Sequence, residues 1–457
     1  MQTLKTAILT TVLMAFILGP VVAQTKKDGN WTPLFNGKNL TGWKQLNGKA
    51  KYEVVNGEIV GSTVLGEPNS FLTTEKTYGD FILELEFKLD DIMNSGIQFR
   101  SESKADYLNG RVHGYQYEID PSPRAWTAGI YDESRRDWLY PVSFNEPARS
   151  LFKFQAWNTC RIECIGNSIR TFLNGKPVAS LVDDVTVAGF IALQVHSIGK
   201  AEEAGKKIRW RNIKIQTTNL KPTPLDPTFV VNLLPNHVSE QEKMQGVHLL
   251  FDGKSTNGWR GAYKTGFPDK GWKVQDGLLT VQSSDGAEST NGGDIVSENE
   301  YDAFIFQFEF KMTPGANSGV KYFVTEKENN AGSAIGLEYQ ILDDALHPDA
   351  KLGSIGNRTL GSLYDLIPAV KENRARHKIG DWNRGMIKVT KDGTVSHYLN
   401  GWKMLEYKRG EQYFYALVAK SKYANWPNFG MAPKGRLLLQ DHGNEVSFRS
   451  LKMQILQ

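Results

Sequence analysis

The sequence has few cysteines, no excess of one charge and no long apolar run beyond its N-terminus. Its two cysteines, Cys160 and Cys164, stand in the alternating stretch TCRIECIG. That spacing covers about 13 Å along a strand, which is too far for a disulfide, so we expect two core thiols. The 54 basic and 50 acidic residues are interspersed and leave a formal net charge of +4. This balance gives no basic stripe and excludes nucleic acid as an expected partner.

The N-terminus reads MQTLKTAILTTVLMAFILGPVVAQ, with a lysine, then a short apolar run, then small residues. This order predicts a secretory signal peptide over residues 1–23, since the apolar run is short for a membrane span. A retained anchor is the alternative. We therefore expect a periplasmic or secreted protein that has no membrane contact after the signal is removed.

The remainder of the chain carries one pattern twice. LFNGKNLTGWK from Leu34 returns as LFDGKSTNGWR from Leu250, and FILELEFKLDDIMNSG returns as FIFQFEFKMTPGANSG. The shorter blocks WN, LNG and LQ follow in the same order in each half. Matching blocks in one order indicate a duplication, so we expect two homologous domains, over 31–217 and 247–457.

The segment 218–246 joins the two copies. It falls largely in TTNLKPTPLDPTFVVNLLPN, which is punctuated by proline and weakly periodic, as is typical of a linker. In SEQEKMQG, Ser239 and Glu242 have the spacing of a capping box, which predicts one short helix before the second domain.

Both copies show the alternation of strands and almost no helical periodicity. In FILELEFKL and FIFQFEFKM apolar residues recur at every second position, which predicts half-buried strands. Asn-Gly and Asp-Gly pairs between such runs predict hairpins, at Asn56-Gly57, Asn174-Gly175, Asp276-Gly277, Asp392-Gly393 and Asn400-Gly401. Each copy is long enough for one β-sandwich with a full core, so we expect an all-β fold.

The blocks of the second copy resemble the 3-keto-disaccharide hydrolase family, through LLFDGKSTNGW, PGANSGVKYF, GLEYQILDDALHPDAK and LQDHGNEVSFRSLKM. The first copy, with NSGIQFRSES, GYQYEID, GIYDESRRDWLYP and LQVHSIG, resembles another branch of that family. The resemblance implies two tandem concanavalin A-like jelly-roll β-sandwiches. It also implies an exported enzyme that acts on glycosides whose glucose unit is oxidised at C3, but it does not identify the catalytic residues.

Strand alternation sorts the polar side chains of the second copy. In GLEYQIL the glutamate and glutamine lie opposite the apolar residues, and in LLLQDHG the glutamine and histidine point away from the core. NSGVKYF places the lysine and Phe323 together on the polar face. We expect one groove on the concave face of the jelly roll. The candidate catalytic residues, including three from the following loops, are Glu338, His442, Lys321, Gln340, Gln440, Asp343, His347 and Tyr364.

The first copy offers a second groove with a different arrangement. Arg100 is the cation on the strand that matches the one with Lys321. The carboxylate is shifted by two residues, or about 7 Å along a strand, so the two grooves are expected to differ in substrate or chemistry. The candidate residues of this second site are Gln98, Arg100, Gln116, Glu118, Asp120, Gln194 and His196.

These groups suit a reaction at a ketone-activated sugar. A ketone at C3 acidifies the proton on C2, whose removal lets the oxygen on C1 leave before water adds back. Glu338 or His442 is the candidate base, and Asp343, His347 or Tyr364 the candidate proton donor. Lys321, or a divalent metal ion held by Glu338 and His442, stabilises the enediolate.

The expected partner is an oligosaccharide or glycoside substrate. Two other functions fit the same sequence. One is a conventional glycoside hydrolase on unmodified glycan, for which Glu118 and Asp120 are a carboxylate pair. The other is a non-catalytic carbohydrate-binding protein, because lectins share this fold.

Overall fold

The structure, a computed structural model, describes residues 30–326, 334–371, 375 and 377–456. The predicted signal peptide over 1–23 lies outside the described residues. Within the described part, no helix is long and apolar enough to cross a membrane.

The first domain is a sandwich of two sheets, which are antiparallel apart from the edge strand β16. Its back sheet has the strand order β16-β13-β12-β11-β6-β15-β4-β3 with β1 beside β15, and its front sheet has the order β10-β9-β8-β7-β14-β5-β2. The strands are β1 Thr32–Pro33, β2 Trp43–Asn47, β3 Lys51–Val55, β4 Glu58–Ser62, β5 Ser70–Thr74, β6 Phe81–Leu89, β7 Ser95–Glu102, β8 His113–Ile119, β9 Ile130–Glu133, β10 Asp137–Tyr140, β11 Asn158–Ile165, β12 Ser168–Leu173, β13 Lys176–Val182, β14 Phe190–Val195, β15 Lys207–Gln216 and β16 Val230–Asn232.

The second domain repeats this architecture. Its back sheet has the order β19-β20-β29-β22-β25-β26-β27 with β17 beside β29, and its front sheet has the order β18-β21-β28-β23-β24. The elements are α1 Glu240–Met244, β17 His248–Leu249, β18 Trp259–Gly261, β19 Trp272–Gln275, β20 Leu278–Val281, β21 Ile295–Ser297, β22 Phe304–Met312, β23 Asn317–Thr325, β24 Ile335–Leu342, β25 Asn383–Val389, β26 Thr394–Leu399, β27 Trp402–Lys408, α2 Gln412–Ala419, β28 Arg436–Leu439 and β29 Val446–Ile455.

The predicted all-β fold of two tandem sandwiches is confirmed, and its physical basis is the predicted alternation. Along β6 the apolar residues from Leu83 to Leu89 are buried while Glu84, Glu86 and Lys88 are partly exposed. Between the two sheets of each domain lies one large apolar cluster. Cys160 and Cys164 are free thiols buried in the first of these cores, as predicted.

The backbone conformation at the predicted hairpin turns is the evidence on those predictions. Asn174 and Gly175, between β12 and β13, both have positive φ, at 51° and 76°. Two consecutive residues in this region are what a type I′ turn requires, and asparagine followed by glycine adopts it with little strain. The same pair of positive φ angles recurs at the other two Asn-Gly turns and at Asp276-Gly277.

One prediction from strict alternation is wrong. Phe323 has a φ of 53°, and the pairing of β23 with β24 shifts between Tyr322 and Thr325. This bulge inserts an extra residue, so Phe323 turns into the core beside Tyr322 instead of joining the polar face. The first domain has the same bulge at Arg100, whose φ is 44°.

The segment predicted as a linker also takes part in both domains. Its strand β16 pairs in parallel with β13 and so extends the first back sheet. Helix α1 begins with the capping box of Ser239 and Glu242. Glu242 then accepts a hydrogen bond from Lys452 of β29 at 2.9 Å, and both side chains are almost fully buried. The two domains also meet directly where the ring of Trp126 lies 4.9 Å from that of Trp402.

Candidate functional site

The second front sheet carries two rows of residues on the face away from the core. In one row Lys321 of β23 pairs with Glu338 of β24 and, on its other side, with Leu438 of β28. In the neighbouring row Gly319 pairs with Gln340, and the amide of Gln440 donates to the carbonyl of Gly319 at 3.0 Å. The predicted polar residues of these three strands therefore lie together.

Gly319 determines where the Glu338 carboxylate can lie. A Cβ atom at this position would stand 2.3 Å from Oε1 of Glu338, so only glycine leaves room for the carboxylate over the strand. The first domain has the same device, because a Cβ on Gly96 would stand 2.4 Å from the side-chain amide carbon of Gln116. Gly96 and Gly319 occupy the same place in NSG, which occurs in both copies.

Glu338 is the most perturbed carboxyl group among the predicted residues of this groove. Its side chain is only 4% exposed, and burial raises its pKa above the ordinary value. The positive charges of Lys321 and Lys422 oppose this shift, whereas the carboxylate of Asp294 adds to it. A carboxylate that is costly to ionise binds a proton more readily than an exposed one, which suits a general base.

Lys321 is shared by two buried carboxylates. Its Nζ lies 3.8 Å from Oδ2 of Asp294, and it is the cross-strand neighbour of Glu338. Burial raises the pKa of Asp294, and Lys321 opposes that rise. Asp294 precedes β21 and is held by the amide of Asp441, which donates to its Oδ1 at 2.9 Å.

The two predicted glutamines flank this charged group. With its amide turned to satisfy its neighbours, Gln340 donates to Oε1 of Glu338 and to the carbonyl of Ser318, each at 3.2 Å. Gln440 is buried, and its Oε1 has no hydrogen-bond partner among the described residues. The groove thus has an acceptor that remains open to a ligand.

Lys422 and Tyr423 form a wall that sequence reasoning missed. They follow α2, in a connection from β27 to β28 that is far longer than the matching link from β13 to β14. The ammonium of Lys422 lies 4.3 Å from the centre of the Tyr364 ring. Burial lowers the pKa of Lys422, and the charge of Glu338 opposes that shift. Because this wall has no counterpart in the first copy, comparison of the repeats could not reveal it.

The three loop residues that were predicted as proton donors lie in different surroundings. Tyr364 is buried beside Glu338, and its amide donates to the Glu338 carbonyl at 3.0 Å. The ring of His347 lies 5.8 Å from that of His442, and burial followed by the charge of His442 lowers the His347 pKa. Asp343 instead accepts hydrogen bonds from three backbone amides of its own loop and of Gly315, so it stabilises the loop and is not a proton donor.

The proposed metal site finds no support in the described residues. They contain no group of three or more His, Cys, Asp or Glu side chains that could hold a metal ion. Glu338 faces Lys321 across the strands. His442 lies 3.9 Å from Glu288, through Nε2, and its Nδ1 has no partner in the part of the chain that is described. Among the described residues, Lys321 is the cation that strand pairing places beside Glu338.

The first front sheet has the same two rows with different side chains. The row with Gln98 and Gln116 continues to Ala192 on one side and Tyr131 on the other. The other row consists of four residues that pair in turn across neighbouring strands, namely Phe71, Gln194, Gly96 and Glu118. Gln98 and Gln116 thus stand where the second domain has Lys321 and Glu338, and Phe71 stands where it has Asp294.

Glu118 and its neighbours form a closed hydrogen-bond chain. Gln98 donates to Gln116 at 2.5 Å, and Gln116 donates to Glu118 at 2.8 Å. Asn94 donates to the other oxygen of Glu118 at 2.6 Å. Burial raises the pKa of Glu118 to about 7, with these two amide donors opposing the rise. Asp120 accepts from Arg124 at 2.8 Å, so the predicted carboxylate pair is engaged within the protein.

Two further predictions concern the first groove. Arg100 is not part of it, because the bulge carries its side chain to Asp80 and to the carbonyls of Gly79 and Gly166. His196 does line the groove, together with Gln116, Glu118 and Gln194, around a cleft of about 850 Å³. That volume is in the range of small-molecule sites.

The chain matches the family model described as the 3-keto-alpha-glucoside-1,2-lyase-like domain twice, over residues 30–216 and 246–454. A relative from Bacteroides thetaiotaomicron, named 3-keto-disaccharide hydrolase, is 37% identical over 232 residues, which are 46% of this chain and 79% of the relative.

Two solved structures are similar to part of the chain. A provisionally named glycosyl hydrolase from Parabacteroides distasonis is 30% identical and covers 49% of this chain and 100% of its own, with a TM-score of 0.43. A carbohydrate-binding module from Bacillus subtilis is 16% identical and covers 39% of this chain and 97% of its own, with a TM-score of 0.28.

Proposed function

The chain belongs to the 3-keto-alpha-glucoside-1,2-lyase-like family, and from this premise we propose that its second domain cleaves the glycosidic bond of 3-keto-glycosides. The observation that carries the proposal is the buried carboxylate of Glu338, which has a raised pKa and faces Lys321. A ketone at C3 makes the C2 proton acidic enough for such a base. The name of the relative that is 37% identical supports the same substrate class.

In the first step Glu338 takes the proton from C2, and the electron pair of that bond moves to the C3 oxygen. The ammonium of Lys321 stabilises the resulting enediolate, because a fixed charge in a site shielded from water acts more strongly than in solution. Asp294 and Gln340 hold Lys321 and Glu338 in place through the contacts described above.

In the second step the C3 carbonyl re-forms, a double bond forms between C1 and C2, and the aglycone oxygen leaves C1. That oxygen takes a proton from Lys422, whose lowered pKa makes it a stronger donor than the neighbouring Tyr364. Water then adds at C1 and gives its proton to Lys422, while Glu338 returns a proton to C2. The sum is hydrolysis, and elimination followed by hydration accounts for both a lyase and a hydrolase among the names in this family.

Export from the cytoplasm is part of the proposal. The leader-like N-terminus supports it. Fractionation of cells that produce the full chain tests this point, and retention of the protein in the cytoplasm would contradict it.

The experiment compares a 3-keto-glucoside with its unoxidised parent, using wild type and Glu338→Gln. We expect cleavage of the keto sugar alone and a loss on the order of 10²-fold or more in Glu338→Gln, which keeps the shape but removes the base. Equal cleavage of the unoxidised parent would support a conventional hydrolase and contradict the proposal. Activity of Glu338→Gln within a few-fold of wild type would remove Glu338 from the mechanism.

A further inference from the structure

The first groove holds an unpartnered amide that its own domain does not explain. Gln194 is fully buried, yet neither its Oε1 nor its Nε2 has a hydrogen-bond partner among the described residues. The indole N–H of Trp138, which is 5% exposed, is also without a partner there. Buried polar groups in folded proteins are almost always hydrogen-bonded, so the open atoms of these two residues indicate a ligand that extends across the sheet from β14 toward β10. Both side chains line the cleft of about 850 Å³.

The side chains of this cleft fit a neutral ligand. Arg124 is paired with Asp120 at 2.8 Å, and Arg111 lies 3.8 Å from Glu133. The row that holds the charged pair in the second domain holds the neutral amides of Gln98 and Gln116 here. This groove therefore has no base or cation at the positions that the proposed cleavage uses.

The open atoms of Gln194 also select between a hydroxyl and a ketone. Its Oε1 needs a donor and its Nε2 needs an acceptor. Two neighbouring hydroxyl groups of a sugar ring supply both, whereas a ketone oxygen only accepts. Leaving Oε1 unsatisfied in a buried site is unfavourable, so a ligand that supplies a hydroxyl donor binds better there than a ketone does.

We propose that the first domain binds an unoxidised, neutral glycoside through a vicinal diol held by Gln194, with Trp138, four strands away along the same cleft, as a second contact, and that it does not cleave this ligand. The contrast with a cleaving second domain rests on the proposed function, but the binding site itself does not. The chain then holds the oxidised and the unoxidised form of a sugar in two separate grooves.

The test uses the full chain with Glu338→Gln as background and measures binding of maltose, cellobiose and sucrose by calorimetry. We expect at least one of them to bind at one site per chain, with affinity lowered at least tenfold by Gln194→Leu and measurably by Trp138→Phe. The exposed Gln282→Leu is the control and should leave the affinity unchanged. Gln194→Leu should melt no lower than its background, because it removes an unsatisfied buried amide.

Three results would overturn the inference. One is the absence of binding of all three sugars at millimolar concentration. Another is binding that Gln194→Leu does not weaken. The third is residual cleavage of a 3-keto-glucoside in the Glu338→Gln background that disappears with Gln194→Leu. Failure of the proposed function is distinguishable, since an inactive second domain with sugar binding at Gln194 would leave this inference standing.

Discussion

Replacing Lys321 by methionine should move the pH dependence of cleavage and not merely lower its rate. Lys321 is the cation that opposes the rise in pKa that burial causes in two carboxyl groups, Asp294 and Glu338. Methionine has a similar length, so the groove keeps its shape while it loses the charge. The pKa of Glu338, already raised by burial, then rises further, and the base is protonated over a wider range of pH.

The magnitude follows from the geometry. Lys321 is the direct cross-strand neighbour of Glu338, and side chains in such pairs have Cβ atoms about 5 Å apart. A cation within a few ångströms of a carboxylate ordinarily lowers its pKa by about 1–3 units. We therefore expect the acid limb of the kcat/KM profile to move up by about 1–3 pH units, and the plateau to fall by about 10²–10³-fold through loss of enediolate stabilisation.

The assay measures kcat/KM on a 3-keto-glucoside between pH 4 and about pH 9 for wild type, Lys321→Met and Lys321→Arg. Lys321→Arg keeps the charge and should keep the acid limb near that of wild type. Lys311→Met, on the back sheet over Trp382, is the matched control and should change neither limb nor plateau. An unmoved acid limb in Lys321→Met, with the fold intact by thermal melting, would refute the electrostatic account.

Three further predictions concern the groove floor, buried charge and pH. Gly319→Ala should fold but lose on the order of 10²-fold in kcat, because its Cβ would displace the flexible Glu338 carboxylate. The control is Gly266→Ala, where a Cβ would meet no neighbouring atom, and equal kcat in the two variants would contradict this prediction. Lys452→Met should lower the free energy of unfolding by about 3–5 kcal/mol, since it leaves Glu242 buried without its cation. The loss is measured by denaturant titration, and a loss below about 1 kcal/mol, the size expected for an exposed pair, would contradict this. Burial raises the folded-state pKa of Glu118 from 4.5 to about 7, so its contribution to stability falls by up to about 3 kcal/mol as pH rises through that window. Thermal melts at several pH values should show a smaller fall in Glu118→Gln than in wild type. An equal fall in the variant would contradict the raised pKa of Glu118.

The polar face of each front sheet was predictable because strands alternate with a period of two. That rule placed Glu338, Gln340 and Lys321 in one groove, where the strand pairing brings them together. It failed at Arg100 and Phe323, where a bulge adds one residue and reverses the alternation. A single bulge leaves no clear mark in composition, since neither residue is a glycine.

The partners of the groove that come from loops were not predictable in this way. Asp294 reaches Lys321 from a loop before a three-residue strand, through a hydrogen bond with Asp441 far along the chain. Lys422 comes from an insertion that one copy lacks, so the repeat offers no comparison. The repeated NSG marked Gly319 and Gly96 in the sequence. The need for glycine is evident only from the structure, where the side chain of Glu338 or Gln116 lies directly over it.

The most direct test of proton removal from C2 is the fate of that hydrogen in deuterium oxide. A 3-keto-glucoside is incubated with wild type or Glu338→Gln, and the released sugar is examined by NMR, with a sample without protein to measure spontaneous exchange. The account predicts that the sugar released by wild type carries deuterium at C2, and that Glu338→Gln releases little sugar and adds no exchange above the spontaneous rate. Release of a sugar that retains its original hydrogen at C2 would contradict it.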